Sequence, residues 1–522
     1  MDTHKIIKLL FIGMAATTLQ NCSLDEHPRD QIAEEEAYKT AKSLFINTVI
    51  TLYSYIGGEK DGQGLQGTCR GVYDLQTFGS DEAMLPTRGT DWYDGGLWQD
   101  MYRHSWTAGH EIPKNSWNYL YKVITLCNRS IEQLGIHKDM LTASEYQQCV
   151  AEVRGLRAIY YWYLLDLFGR VPIVTSTKMS MNEVMQSERK EVFQFVVKEL
   201  EEVSKILPAE NSVHHGDYYG RVTRPVVFFV LAKLMLNAEV YNGTPQWANT
   251  ISYCDSIEKM GYKLEHNYAD NFKVYNENSC ENIWIIPVDK DLYSNQQQMI
   301  YRSYHYRHAA AYGFTGENGT CATKKVLEVF GYGSNAEDYR FSINYWAGPV
   351  YDLNNHLIYD RMGKPLCYYP WEVEMDISGS IYVETAGARM KKYEIDRNAT
   401  KDGKLMDNDI VLFRFADVLL MRAEAKMRLG RDGQADFDAV RSRADVRLRE
   451  LTPDNLLDER LLELCWEGWR RQDLIRFGKY KSLFQGDANR GPVDESDGHT
   501  TVFPIPGDVI FMNSNITQNK GY

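Results

Sequence analysis

The chain has 522 residues, with 58 Lys+Arg against 71 Asp+Glu for a formal charge of −13, 44% hydrophobic residues and 25% charged residues. That balance excludes a disordered chain and a polytopic membrane protein, and the acidic excess argues against nucleic acid, whose phosphates need clustered Lys and Arg. The unusual numbers are 35 Tyr and 11 Trp, residues that pair an apolar face with a polar tip and so suit cores, interfaces and sugar rings alike.

In chain order, residues 1–21 read as an export signal, with Lys5 and Lys8 ahead of the short apolar run Leu9 to Ala16. Eight apolar residues are too few to span a bilayer. Leu19-Gln20-Asn21-Cys22 resembles a bacterial lipobox, with Asn21 where a small residue is usual, so Cys22 is the expected site of lipid attachment. The eight later cysteines form no C-x-x-C pair and have no zinc spacing, and most are expected to be buried small hydrophobes.

Apolar residues at helical spacing predict helices over Ala37 to Tyr55, Asn115 to Leu134, Ser144 to Phe168, Ser187 to Leu207, Pro225 to Tyr241 and Trp247 to Met260. The pattern returns over Ile410 to Leu429, Gly433 to Ala444 and Leu456 to Phe477. Short connections imply antiparallel helix pairs of irregular, tetratricopeptide-like packing. The fold class expected is therefore mainly α. It is a single domain over 22–522, with a helical scaffold at 37–56, 114–260 and 409–522 and loop-rich regions at 57–113 and 261–408. The second loop-rich region holds 17 of the 35 tyrosines on little more than a quarter of the chain. Long irregular segments in a compact protein usually carry function.

Most enzyme and metal signatures fail on spacing or context. Gly62 to Gly67 fits G-x-G-x-x-G but follows no strand and opens no helix, so it reads as a flexible loop. His305, His308, His214 and His215 form no H-E-x-x-H motif. Asp402, Asp407 and Asp409 lack the spacing of a calcium hand. No cofactor is expected. No G-x-S-x-G elbow occurs, and acidic pairs for a glycosidase are too many to sort by sequence.

Four segments carry a resemblance. Glu152 to Pro172, Arg414 to Ala425 within Ile410 to Gly430, Glu459 to Gly478, and Phe503-Pro504-Ile505-Pro506 with Gln518-Asn519-Lys520-Gly521-Tyr522 resemble signature elements of the SusD/RagB family, in its order. Lys520 stands where the family usually has Pro. Read from the residues alone, these motifs are scaffold: Ala158 to Leu167 is apolar nearly all round, and Arg154 and Arg157 are expected to pair with Glu424, Glu463 or Glu467. The resemblance implies a lipid-anchored outer-membrane protein facing the cell exterior, which captures glycans without catalysis and passes them to a SusC-like TonB-dependent transporter. Some members serve peptides or other nutrients instead.

Sugar rings stack on exposed Trp and Tyr, with Asp, Asn, Gln or Arg alongside for the hydroxyls. Ser80 to Trp98 holds all these parts, and the resemblance places a glycan-contacting loop there. Asp81 and Arg88 are expected to bond hydroxyls and Trp92 or Trp98 to stack, with Tyr304, Tyr306, Tyr312 and Trp346 as platforms from the second region. The alternative for the tryptophans is that Trp98 and Trp106 anchor loops against Trp117 and Tyr121. Two competing functions make different demands. A secreted glycoside hydrolase needs a carboxylate pair at catalytic separation in an aromatic cleft, and a lid without a ligand needs Trp92, Trp98 and Trp346 all buried.

Overall fold

The computed structural model describes residues 37–209, 216–292, 295–399, 403–482 and 494–522. The expected signal segment at 1–21, Cys22, His214, His215 and Asp402 lie outside the described residues. Among those described, no helix is long and apolar enough to cross a membrane.

The scaffold is a run of antiparallel helices: α1 (Glu111–Ile136), α2 (Ala143–Phe168), α3 (Arg189–Ser204), α4 (Arg224–Leu236) and α5 (Trp247–Lys259). After the loop-rich insertion, which carries the short α6 (Tyr306–Ala311), come α7 (Phe415–Arg428), α8 (Gln434–Arg443), α9 (Pro453–Leu464) and α10 (Arg470–Arg476). Each of α1 to α5 packs on the next, and α7 packs on α5, so the helical array continues across the insertion as though it were absent. The N-terminal stretch is shorter and less regular than the predicted helix, with Ala41–Phe45 and Thr51–Tyr53 flanking a π-helical turn at Ile46–Ile50.

The sequence explains the limits of α2. Thr142 and Glu145 form a reciprocal capping box, and Gly169 ends the helix at φ +70°. From Gly155 to Phe168 every residue is buried, as an all-round apolar helix requires. The C-terminal motif closes this end. The Asn519 amide donates to the carbonyls of Phe168 (2.8 Å) and Phe503 (2.9 Å), a second donor on a helix-end carbonyl that also accepts the Arg170 N–H (2.8 Å).

The predicted helix Pro225 to Tyr241 divides at Asn237 into α4 and a short helix Ala238–Asn242, and two more predicted helices are broken by features that periodicity hides. Ile410–Arg414 is not helix but a strand, β2, antiparallel to β1 (Asn282–Ile286), with Ile410 opposite Ile286 and Arg414 opposite Asn282. This ladder joins the two ends of the insertion and explains how the helical array resumes beside α5. Leu456 to Phe477 divides into α9 and α10 at a turn where Trp466 (φ +65°) and Gly468 (φ +75°) are left-handed. A two-residue pair, Ala83 with Ala322 and Met84 with Cys321, ties the first loop-rich region to the second.

One continuous core runs from Tyr38 to Ile516. Six of the eight described cysteines are buried and all eight are free thiols. Arg154 and Arg157 make ion pairs, but not with the expected partners: both reach Glu199 of α3 (2.6 and 2.9 Å), the helix packed beside them. Glu424 instead takes Arg476 (2.7 Å), and Glu463 and Glu467 take Arg414 (2.5 and 2.8 Å). Nor is the Gly62 to Gly67 loop free to flex. It is largely buried, and a Cβ at Gly67 would lie 2.5 Å from the Gln296 carbonyl oxygen. Asp407 pairs with Lys290, and Asp409 accepts from the Tyr219 hydroxyl.

Candidate ligand-binding site

Where the two loop-rich regions meet, the Arg88-Asp91 turn sets the geometry. Backbone bonds run both ways between Arg88 and Asp91 (2.9 and 3.1 Å) around Gly89 at φ +69°, and Trp92 leaves the turn at φ +60°. A bulky residue in the left-handed region is strained and marks a constrained position. The Trp92 indole N–H donates to the Glu317 carbonyl (2.8 Å), so the ring lies across from one region to the other. Gly319 makes room for it, since a Cβ there would lie 2.6 Å from both Trp92 Cε2 and Leu85 Cδ2.

Trp92 forms one side of an open cleft of about 450 Å³. Tyr306, the first residue of α6, lines it too, with its hydroxyl donating to Asp91 (2.5 Å). His305 caps α6 by accepting the Arg307 N–H (3.1 Å); burial lowers its pKa to about 4 against the pull of Glu384, so the ring is neutral at pH 7. Tyr301, Arg70, Asp94, Glu317 and Lys404 also line it, with Asp61 at its edge. Arg70 bridges Asp94 (2.8 Å) and Glu111 (3.4 Å), and the Lys404 ammonium stands 4.2 Å over the Tyr301 ring. The cleft therefore offers aromatic rings, carboxylates and cations within one open space, the parts that a polyhydroxyl ligand requires.

At the C-terminal end of α6, Tyr312 and its neighbour Trp346 are half-buried and meet at a steep angle, 6.4 Å between centroids. Beneath them Tyr304 is fully buried, accepting the Trp346 indole N–H (2.5 Å) and stacking on His308 (4.3 Å).

Four of the eight expected contact residues are internal. Asp81 is 3% exposed with both oxygens held by Arg470 (2.6 and 2.9 Å). Arg88 spends its guanidinium on the carbonyls of Val383 and Ala386 (both 2.9 Å), clamping that loop to its own. Trp98 is 1% exposed, edge-on to Phe78 (5.5 Å) and Trp92 (6.1 Å). Tyr304 supports Trp346 rather than facing outward. Trp106 is a loop anchor, though not against Trp117 or Tyr121: it packs on Phe503 and donates to the Tyr522 hydroxyl (2.7 Å). Trp92, Tyr306, Tyr312 and Trp346 keep exposed surface, so the demand that all three of Trp92, Trp98 and Trp346 be buried is not met.

Sequence reasoning missed Arg70, Asp91, Asp94, Tyr301, Glu317 and Lys404 as lining residues. Asp91 and Asp94 flank Trp92 in the segment already singled out, and that adjacency was the available signal. The others come from four distant stretches and had none.

A family profile described as "SusD family" matches residues 280–522, and a second, "Starch-binding associating with outer membrane", matches 73–236. The chain belongs to the SusD/RagB family. Among curated SusD relatives, the starch-binding protein SusD of Bacteroides thetaiotaomicron is 28% identical, with 88% of this chain and 87% of that one covered. The SusD-like protein P25 of Formosa agariphila is 25% identical over the whole of both chains. Among solved structures, the surface glycan-binding protein A of Bacteroides thetaiotaomicron in complex with laminarihexaose superposes with TM-score 0.73 at 21% identity, covering 92% of this chain and 99% of that one. A SusD superfamily protein of Bacteroides vulgatus gives 0.71 at 18%, covering 93% and 100%. The shared SusD fold accounts for the position of the four motifs: they build the helical frame, and none of them lines the cleft.

The close approach at Gly319, in the insertion, carries a prediction about the cleft. Gly319→Ala places a methyl against a rigid indole, so Trp92 must shift. Affinity for a ligand held by Trp92 should fall about tenfold, some ~1.4 kcal/mol, with a change in tryptophan fluorescence and native circular dichroism. Unchanged fluorescence and affinity would show that Trp92 does not depend on this glycine.

Proposed function

We propose that this protein captures glycans at the cell surface without catalysis and delivers them to a SusC-like TonB-dependent outer-membrane transporter. The observation that carries the reading is the cleft of Trp92, Tyr306 and Asp91: an aromatic face, a second ring and a carboxylate held together in one open space. Its relatives' names fit this, being starch-binding and glycan-binding proteins. Cys22, acylated after removal of residues 1–21, anchors the chain to the outer leaflet, and Tyr312 with Trp346 extends the aromatic surface. Only Trp92, Tyr306, Tyr312 and Trp346 of the sequence candidates meet ligand in this proposal.

Isothermal titration of the soluble domain against a panel of neutral and acidic polysaccharides, with peptides in parallel, tests it. Binding of a glycan with no release of reducing ends is the expected result. Release of reducing ends would make the protein a glycoside hydrolase. Binding of peptides and of no glycan would make it a family member that serves peptides.

A further inference from the structure

The Gly62 to Gly67 loop folds back on itself beside the cleft. A Cβ at Gly58 would lie 2.6 Å from the Gln63 carbonyl oxygen, and one at Gly64 (φ +80°) would lie 2.8 Å from the Gly57 carbonyl carbon. Glycine alone permits this fold, which keeps Glu59, Lys60 and Asp61 exposed at a rim. Facing that rim is α1, whose residues Asn115, Asn118 and Lys122 stand at i, i+3 and i+7 on one helix face. Loop and helix enclose a second open cavity of about 520 Å³, and Asp61 lines both this cavity and the Trp92 cleft. Between them the Asn115 amide donates to the Arg70 carbonyl (3.3 Å), and the Arg70 guanidinium reaches into the cleft's own ion pairs.

We propose that this cavity is a second subsite for the same chain-like ligand, receiving the continuation of a neutral oligosaccharide whose first units sit at Trp92. The proposal rests on the glycan reading above. Amide side chains carry a donor and an acceptor side by side, as paired sugar hydroxyls require. The Tyr55 ring, with the Lys122 ammonium 4.8 Å over it, supplies an apolar wall. Charge selects the ligand class: Glu59 and Asp61 balance Lys60 and Lys122 here, while in the cleft Asp61, Asp91, Asp94 and Glu317 outnumber Arg70 and Lys404. A uronate or sulfated chain would meet like charge along that path; a neutral chain meets hydrogen-bond partners.

The test compares laminaribiose with laminarihexaose and maltose with maltohexaose by isothermal titration, on the wild-type domain and on the N118A/K122A double variant. Both side chains are exposed and mid-helix, where Ala is a good helix former, so the fold is kept. In the series that binds, the hexasaccharide should bind more tightly than the disaccharide. The double variant should weaken the hexasaccharide about tenfold and leave the disaccharide unchanged. Equal affinity for both lengths, or a double variant that binds hexasaccharide like wild type, overturns the second subsite and leaves glycan capture standing. Binding of only acidic polysaccharides in the wider panel overturns the second subsite and leaves glycan capture standing; binding of no glycan in that panel overturns both.

Discussion

Trp92→Ala should weaken glycan binding about thirtyfold or more, the loss of some 2 kcal/mol that marks a central aromatic contact. The expectation follows from where the ring is, not from its being tryptophan. Trp98, six residues on, is buried behind it and contacts no open space. Trp98→Ala should therefore act first on stability, about 3–5 kcal/mol for a large aromatic removed from a core. The two variants separate two quantities, binding at constant stability and stability with secondary loss of binding, and calorimetry with urea denaturation measures both. Trp92→Phe should fall between wild type and Trp92→Ala, because it keeps a stacking face but loses the N–H that ties the ring to Glu317. If Trp92→Ala binds like wild type, the cleft is not where the glycan sits.

The contrast between these two tryptophans shows what the sequence could and could not disclose. Helix existence was readable because the 3.6-residue pattern is local; α2 runs from Ala143 to Phe168 where the pattern ran from Ser144. The β2 strand was not readable as one, because a five-residue apolar run looks alike in a buried strand and a buried helix, and its partner β1 lies more than 120 residues earlier. The same limit governs the site. Ser80 to Trp98 reaches the cleft with Asp91, Trp92 and Asp94, and its residues divide between core and cleft according to contacts with Arg470, Val383, Ala386 and Glu317, none of them near in sequence. Asp81 and Arg88 have the chemistry of sugar contacts and serve as clamps, while Asp91, the acceptor actually at the cleft, differs from Asp81 only in what packs around it.

Glu463→Ala should destabilise the domain by about 3–5 kcal/mol, the cost of removing one partner from a buried ion pair. Glu463 is fully buried and takes three guanidiniums: Arg414 (2.5 Å), Arg340 (2.8 Å) and Arg443. Arg414 also reaches Glu281 and Glu467, and Arg340 reaches Glu459, so one carboxylate sits at the centre of a network joining α8, α9, β2 and the insertion. Burial by itself would raise the Glu463 carboxyl; Arg443, Arg414 and Arg340 overcome it and hold the group well below the usual carboxylate range. The sign of the pH dependence follows. A depressed pKa contributes stability that is present above the unfolded value, near ~4.3, and is lost progressively as pH falls below it. Urea midpoints should drop from pH 5 to pH 3 more steeply in wild type than in Glu463→Gln, which cannot titrate there. Since the network lies in the frame and away from the Trp92 cleft, either variant should bind glycan with wild-type affinity wherever it remains folded. A Glu463 variant that is stable yet fails to bind would show that frame and cleft are coupled, and would place the insertion's anchoring, through Arg414 at the end of β2, within the binding mechanism.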